Sequence, residues 1–179
     1  MLVEWKAMSL MHLNCEAVNA ILQAVGVSGR VRMLDDAVTT ARAAAQQLGC
    51  SVGAIANSLI FEAFTAASVG MREQFEETDA GTPLLIMTSG AHRVDMTIVG
   101  EQLGVRLRRA SPTFVRERTG QPIGGVAPVG HPRPIRTIVD RALAEFDLLW
   151  AAGGIPHAVF PMTYAELLML TGGAEADVG

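Results

Sequence analysis

The amino-acid sequence predicts an α+β fold, with a mixed, curved sheet or barrel-like core and helices packed around it. Half of the 179 residues are apolar and the mean hydropathy is +0.31, which is enough for a sizeable core. Segments with strand and helix patterns interleave along the chain, without the strict strand–helix–strand alternation of a parallel sheet. We therefore expect residues 1–179 to form a single domain, with residues 1–11 as a flexible N-terminal extension.

The first half of the chain predicts two helices and three strands. Apolar residues at helical spacing predict a helix over Leu13–Val25, which Asn14 can cap. Thr39 or Thr40 can cap the alanine-rich helix that ends at Gly49. The predicted strands are the alternating segment "GRVRMLDD" and two neighbouring core segments, "NSLIFEAFTAAS" and "TPLLIMTSG", separated by a polar hairpin or loop, "VGMREQFEETDAGT".

The second half predicts three helices and four short strands. One helix covers "RVDMTIVGEQLG", and the next begins at Ser111 and Pro112 and ends at Gly120. The last helix, "YAELLMLTGG", has the capping-box pattern of Thr163 followed by Glu166. The strand candidates are "VRLRRAS", "IRTIVDRAL", "DLLWAAGG" and "HAVFPM".

The segment Gly120–Pro132, "GQPIGGVAPVGHP", contains four glycines and three prolines, and its one acid–base side chain is His131. Glycines let a ligand approach backbone N–H groups closely, and the prolines stiffen the chain between them. Such a loop can bind a carbonyl, a carboxylate or a 3′-terminal ribose through backbone donors. An ordinary tight connection has the same composition, so the pattern alone leaves both interpretations open.

Motifs for other kinds of catalysis are incomplete. "SGAHRVD" brings Ser89, His92 and Asp95 within seven residues, too close in sequence for a serine-hydrolase relay, and no GxSxG motif surrounds the serine. We interpret this segment as a strand end followed by a helix N-terminus that Ser89 or Asp95 caps. The scattered histidines and the two cysteines, Cys15 and Cys50, form no metal-ligand motif, and the glycine-rich loop lacks a Walker A ending. We predict neither a metal nor another cofactor.

Five arginines lie in the region just before the glycine-rich loop: Arg106, Arg108, Arg109, Arg116 and Arg118. Guanidinium groups pair with phosphate oxygens, so this cluster is typical of a phosphate-binding face. A solvated surface balanced by the acidic stretch Glu73–Asp79 explains the same residues equally well. The net charge of −4 argues against a large nonspecific nucleic-acid surface and leaves room for a local basic patch.

The sequence predicts a cytoplasmic protein without a membrane partner. No apolar run reaches the ~20 residues of a membrane span, and the N-terminus has no signal-peptide pattern. Two cysteines do not make a disulfide framework, so we expect both to be buried, reduced thiols.

Several segments together resemble the YbaK/EbsC family. They are "RTGQPIGGVAPVGHP", "RTIVD" and "LLWAAGGIPHAVFPMTYAELLMLTGG", with "ARAAAQQLGCSVGAIANSLIF" and "PLLIMTSGAHRVD" upstream, and they cover roughly Leu13–Gly173. The resemblance implies a hydrolase that maintains translation fidelity: a free-standing aminoacyl-tRNA deacylase related to the editing domain of prolyl-tRNA synthetases. Such enzymes hydrolyse the ester between a wrong amino acid and the 3′-adenosine of a tRNA.

The resemblance also implies which residues form the site. Gly124 and Gly125 match the loop glycines that cradle the ester, and His131 matches the histidine of members whose loop ends in GHP; these three are the implied catalytic residues. Substrate-binding positions are implied for Asn57, Pro128, Gly130, Ala152, Gly153 and Gly154. In this family the chemistry is assigned to a positioned water, the tRNA ribose hydroxyl or the substrate's own side chain, which agrees with a rigid loop that has no nucleophile.

Asn57 is the main departure from the family pattern. The family commonly has a lysine there, in a segment like "IAKSLVF", whereas this chain has "IANSLIF". Loss of one charge-assisted contact to a phosphate or to the substrate backbone weakens binding by roughly 1.5–3 kcal/mol. Three functions therefore stay open: a trans-editing deacylase acting on the 3′ acceptor end of an aminoacyl-tRNA, a catalytically silent relative that binds tRNA or a small aminoacyl ligand, and an esterase that acts without tRNA.

Overall fold

The structure is a computed structural model that describes residues 12–65 and 81–179. The predicted extension at residues 1–11, most of the polar connection at 69–82 and the acidic stretch Glu73–Asp79 lie outside the described residues. The single domain over residues 1–179 therefore stays a prediction. No helix in the described ranges has the length and apolar character needed to cross a membrane.

Five α-helices occur in the described residues, close to the predicted positions. They are α1 (Leu13–Ala24), α2 (Ala41–Leu48), α3 (Met96–Leu103), α4 (Pro112–Thr119) and α5 (Tyr164–Thr171). Two short 3-10 helices cover Val52–Ala54 and Arg141–Glu145.

The helix ends follow the sequence signals, with one correction. Thr40, and not Thr39, caps α2 by accepting a first-turn N–H, and Thr163 forms the predicted capping box of α5 with Glu166. Helix α1 is capped by His12, whose Nδ1 accepts the N–H of Asn14 at 3.1 Å, so the prediction of Asn14 as the cap is wrong.

The described strands form one mixed sheet, which confirms the predicted fold class. They are β1 (Arg32–Met33), β2 (Ile55–Phe64), β3 (Thr82–Ser89), β4 (Arg106–Arg109), β5 (Arg136–Asp140), β6 (Leu149–Ala152), β7 (Ala158–Met162) and β8 (Ala174–Ala176). Their order is β1-β7-β6-β2-β3-β5-β8, and β4 pairs with β2 outside this path. The pairs β2–β6, β3–β5 and β5–β8 are parallel, and the other pairs are antiparallel.

Three strands differ most from the prediction, and the first is β1, which covers only Arg32–Met33 of the segment predicted at 29–36. The segment at 135–143 was predicted as one strand, but β5 ends at Asp140, whose carboxylate accepts the N–H of Ala142 and begins a 3-10 turn. Strand β8 was not predicted, because it has only three residues, Ala-Glu-Ala, and neither alanine nor glutamate favours a strand. It becomes a strand by pairing with β5 at the sheet edge.

Strand β2 is longer than either of its neighbours on one side, and this difference splits the sheet. On the other side, β2 pairs with β3 continuously from Ala56 to Ala63. On the split side, β6 pairs with Ile55 and Ala56, and β4 pairs with Phe61–Phe64. Among the described residues, no strand pairs with β2 at residues 57–60 on that side. The sheet is therefore open in its middle.

The two faces of β2 pack against different groups of side chains. Ala56 and Ile60 face the largest apolar cluster, which also includes buried residues of α1, the glycine-rich loop and α5. On the opposite face, Phe61 packs with residues of α3 and Ile55 packs with residues of α2. Cys15 is buried in the largest cluster as predicted, whereas Cys50 is only half-buried, and both thiols are free.

Asp140, the last residue of β5, links this strand to the end of β3 through side-chain hydrogen bonds. Its buried carboxylate accepts hydrogen bonds from the Thr88 hydroxyl at 3.2 Å, from the Ser89 N–H at 3.0 Å and from the Ala142 N–H at 3.1 Å. His92 Nδ1 lies 3.0 Å from the same carboxylate. Removing this acceptor would leave buried donors without partners, which costs more than the net value of the bonds themselves.

We expect Asp140→Ala to lower the free energy of unfolding by about 2–4 kcal/mol, because several buried donors lose their acceptor at once. Asp177→Ala is the matched control, since its carboxylate is exposed and pairs with exposed Arg141 at 3.3 Å. That pair should contribute less than about 1 kcal/mol. Urea unfolding of the two variants measures the difference, and equal losses would contradict the role given to Asp140.

Candidate functional site

A cavity of about 280 Å³ lies at the split in the sheet. The middle of β2 forms one wall of the cavity, and β6 and β7 form a second. Residues at the start of α2 and in the glycine-rich loop complete the lining. The described residues that line the cavity are Val38, Thr39, Thr40, Ala41, Ala44, Ile55, Ala56, Asn57, Ser58, Leu59, Ile60, Phe61, Arg109, Ala110, Val115, Ile123, Gly124, Val126, Trp150, Ala151, Ala152, Pro156, Ala158 and Val159.

The split exposes backbone as well as side chains of β2. The Gly90 N–H donates to the Ile55 carbonyl at 2.8 Å, so the odd-numbered residues of β2 direct their backbone groups towards β3. Ser58 and Ile60, which alternate with them, direct their N–H and C=O groups into the gap. A ligand in the cavity therefore meets a short stretch of strand edge with which no described strand pairs.

Three of the residues implied by the sequence line this cavity: Asn57, Gly124 and Ala152. Asn57 and Ala152 come from the strands on either side of the split, and Gly124 comes from the loop above it. The other six implied residues, Gly125, Pro128, Gly130, His131, Gly153 and Gly154, are not among the residues that line it. Four of them, Gly125, His131, Gly153 and Gly154, make contacts within the loop, within the β6–β7 turn or between these elements and their neighbours.

Glycine is required at positions 124 and 125 for different reasons: backbone conformation at Gly124 and close packing at Gly125. Gly124 has a φ of +83°, where side chains are strained, and lies against Thr39 at the start of α2. A Cβ at Gly125 would run into the backbone of Ile155, so this glycine lets the loop pack directly on the β6–β7 turn. The Gly125 N–H is already bonded to the Pro122 carbonyl at 3.0 Å.

The glycines of the β6–β7 turn serve the same close packing. Gly153 bonds to Ala158 across the turn, and a Cβ there would lie 2.7 Å from Val31. Gly154 has a φ of +105°, and its carbonyl accepts the side-chain amide of Asn14 at 3.0 Å. Helix α1 is thereby tied to the turn beside the cavity.

The end of the loop is closed by His131 and the buried Pro128. His131 Nε2 lies 2.9 Å from the Ala127 carbonyl, which makes this ring nitrogen the donor. Burial lowers the pKa of His131. The ring is therefore neutral at neutral pH and bonded within the loop, consistent with a role in holding the loop closed.

Gln121 is the residue of the loop that sequence reasoning missed. Its side chain is buried, and its Oε1 accepts the Ala127 N–H at 2.7 Å while its Nε2 donates to the Val129 carbonyl at 3.2 Å. The Thr119 hydroxyl bonds to the Gln121 backbone N–H at 3.0 Å. A single amide thus spans the loop from inside. The signal in the sequence was a lone glutamine among glycines and prolines, which does not by itself indicate burial.

The arginine cluster divides into residues with different surroundings. Arg109 lines the cavity and is the only ionisable side chain among the described lining residues. Arg108 forms a 2.9 Å ion pair with the buried carboxylate of Glu62. Arg116 and Arg118 lie exposed in the last turn of α4. The cluster is therefore not one uniform phosphate-binding face.

The segment at 89–95 is a strand end followed by the N-terminus of a helix that Asp95 caps, as predicted, and its residues do not form a serine-hydrolase relay. Asp95 caps α3 by accepting the N–H groups of Thr97 and Ile98, and the Ser89 hydroxyl donates to the Gly53 carbonyl at 2.9 Å. His92 pairs with Asp140 and not with Asp95. Within residues 12–65 and 81–179, no group of three or more His, Cys, Asp or Glu side chains is placed to hold a metal ion.

The model of the family described as "Aminoacyl-tRNA editing domain" matches residues 35–170. The chain belongs to this family. The match includes β2, the glycine-rich loop and the β6–β7 turn, which are the elements that form the cavity. The chain is also 30% identical over 128 residues to the uncharacterized protein YwhH of Bacillus subtilis (strain 168), which is 72% of each sequence.

Solved structures agree with the family assignment. A protein described as a proposed trans-editing enzyme for prolyl tRNA synthetase is 36% identical to this editing-domain protein, with a TM-score of 0.79. The match covers 94% of this chain and 98% of that one. The hypothetical protein APE2540 is 29% identical, with a TM-score of 0.76 over 90% of this chain and 98% of that one.

We expect Gln121→Ala to lower the free energy of unfolding by about 2–4 kcal/mol, because the change removes two buried hydrogen bonds and leaves a void. The Ala127 amide should exchange its hydrogen faster, since it loses its acceptor. Gln102→Ala is the control of the same type, because Gln102 is exposed and donates only to a backbone carbonyl at the surface. Unchanged exchange at Ala127 would refute the bracing role of Gln121.

Proposed function

We propose that this protein hydrolyses the ester that joins a wrong amino acid to the 3′-adenosine of a tRNA. The main support is the cavity at the split sheet, which joins a glycine-rich loop and a free strand edge and lies within the editing-domain match. Its volume suits a small aminoacyl group rather than a whole nucleotide. The prolyl-tRNA synthetase relation of a 36% identical structure supports the same class of substrate.

Backbone donors are the proposed means of stabilising the transition state. Within the loop, the N–H groups of Gly125 and Ala127 are already bonded, to Pro122 and to Gln121. Gly124 and Val126 line the cavity, and no hydrogen-bond acceptor for their N–H groups occurs among the described residues. We assign these two groups to the developing negative charge on the ester oxygen. One such donor typically contributes about 2.7–4 kcal/mol.

The attacking group in this mechanism does not come from a protein side chain. The hydroxyls that line the cavity belong to Thr39, Thr40 and Ser58, and two of them have partners: Thr40 caps α2 and Ser58 Oγ lies 3.3 Å from Met87 Sδ. No carboxylate or histidine of the described residues stands beside them as a base. A positioned water, the neighbouring ribose hydroxyl or the substrate's own side chain is therefore the proposed nucleophile or base.

The second candidate is a silent relative that binds tRNA or a small aminoacyl ligand. Asn57 favours it, because this half-buried side chain lines the cavity without a positive charge. An asparagine still donates and accepts hydrogen bonds, so binding without turnover is consistent with the same site.

A deacylation panel distinguishes the two functions. Purified tRNAs mischarged with Ala, Cys, Ser or Thr are incubated with the protein, and loss of the aminoacyl group is measured against the uncatalysed rate. Release of at least one amino acid well above that rate supports the deacylase. If every aminoacyl-tRNA stays intact but one of them binds, the protein is the silent relative.

We expect Asn57→Lys to change substrate handling, because it adds a cation to the cavity wall. A new charge-assisted contact of roughly 1.5–3 kcal/mol should tighten binding of aminoacyl-tRNA tenfold or more, and the gain should shrink as salt is raised. Gln46→Lys adds the same charge on the exposed side of α2, away from the cavity, and should leave binding almost unchanged. If both variants behave like the wild type on every substrate, Asn57 has no part in binding.

A further inference from the structure

Arg109 is placed to act on a ligand in the cavity. It is the last residue of β4 and lies directly opposite Phe61 of β2. Residues opposite each other in an antiparallel pair project to the same face, so the Arg109 side chain shares a face with Phe61 and with Asn57. It stands at the β4 end of the split, about 13 Å along β2 from Asn57 at the other end.

The charge of Arg109 is not used elsewhere in the described structure. Other arginines have partners there: Arg108 binds Glu62, Arg141 binds Asp177, and Arg32 lies over the Trp150 ring. Arg109 is exposed, and no acidic side chain of residues 12–65 or 81–179 is within ion-pair distance of it. A guanidinium in this situation is free to form a bidentate contact with an anion.

The surrounding sequence strengthens this positive charge. Between residues 105 and 136 there are seven arginines and one acidic residue, Glu117, although the whole chain has a net charge of −4. Five of the seven lie in β4 and α4, and the other two, Arg133 and Arg136, follow the glycine-rich loop, which itself contains no arginine. Because Arg108 is paired with Glu62, the cation that an anionic ligand meets among the described lining residues of the cavity is Arg109.

The chemistry of an aminoacyl ester determines which of its groups can meet Arg109. The carboxyl group is esterified and has no charge, and the α-amino group is positive and will be repelled by the guanidinium. The nearest anion in the substrate is the phosphate on the 5′ side of the terminal adenosine. The aminoacyl group fits the apolar interior of the cavity, while the phosphate stays at its rim.

We propose that Arg109 binds the 5′-phosphate of the terminal adenosine, and so supplies from β4 the cation that position 57 lacks. This role rests on the proposed function of the cavity. Arg109 is a binding residue here and does not take part in bond breaking. Its guanidinium orients the nucleotide so that the ester lies against the loop amides.

Two minimal substrates test the role of Arg109: 3′-aminoacyl-adenosine and its 5′-monophosphate. The wild type should hydrolyse the phosphorylated ester with a KM at least tenfold lower and a similar kcat. Arg109→Gln should raise the KM of the phosphorylated ester to that of the other one, and Arg109→Lys should keep part of the difference. Arg116→Gln is the control, because Arg116 is exposed and does not line the cavity.

A swap of the cation makes the test sharper. In the double variant Asn57→Lys with Arg109→Gln, the charge moves from one end of the split to the other. If position along β2 matters, this variant should bind the phosphorylated ester as tightly as the wild type but with a kcat below that of Arg109→Gln, because the phosphate is then held at the other end of the split. Full recovery of both constants would show that any cation in the cavity suffices and would overturn the positional role of Arg109.

Failure of this inference is distinguishable from failure of the proposed function. If the wild type hydrolyses both esters and Arg109→Gln keeps the full preference for the phosphate, the role of Arg109 is wrong and the deacylase stands. If the wild type hydrolyses neither ester, binding of AMP and of adenosine, measured by calorimetry, still tests Arg109. A preference for AMP that Arg109→Gln abolishes supports it, and equal binding of both nucleotides by the wild type refutes it.

Discussion

The site depends on a mismatch of strand lengths. β2 has ten residues, whereas β6 and β4 cover only its two ends on one side. A continuous neighbouring strand would satisfy the backbone of Ser58 and Ile60 and fill the space that the cavity now occupies. The open stretch is tolerable because β3 pairs with β2 continuously from Ala56 to Ala63 on the other side, so the strand keeps its shape without a second partner. The unpaired groups are then available to a ligand.

The glycine-rich loop is held in one conformation before any ligand arrives. Gln121 spans it from inside, His131 closes it, and Gly125 lets it rest directly on the turn after β6. Each contact restricts backbone that would otherwise have to be ordered on binding, at roughly 1–2 kcal/mol per residue. Under the proposed function, the amides of Gly124 and Val126 are thereby in fixed positions before the ester binds, as electrostatic stabilisation of a transition state requires.

The described lining of the cavity contains one charged side chain, Arg109. The described cavity wall has apolar and small polar side chains with one guanidinium, and no carboxylate is among its described lining residues. A buried acid or base would need a partner to offset the loss of hydration. A site that relies on backbone dipoles and on a cation at its solvent-facing edge avoids that requirement. Its selectivity then depends on the shape of the apolar interior more than on charge.

The sequence by itself determined the elements and the family. Capping residues such as Thr40, Asp95 and Thr163 act within one helical turn, so local pattern was sufficient to place α2, α3 and α5. The same local logic failed at Asn14, because His12 offered a better-placed acceptor, and at β8, which is a strand only because β5 pairs with it. Of the residues that the resemblance implied, Asn57, Gly124 and Ala152 line the cavity, and the roles given to all nine stay predictions.

Only the tertiary structure decided which of those residues face the cavity and which support it. Gly124 and Gly125 are adjacent in sequence, yet one lines the cavity and the other packs on the backbone of Ile155. Arg108 and Arg109 are adjacent too, and strand alternation sends one to Glu62 and the other to the cavity. Such differences depend on strand register and on contacts between segments far apart in sequence, for which a local pattern contains no information.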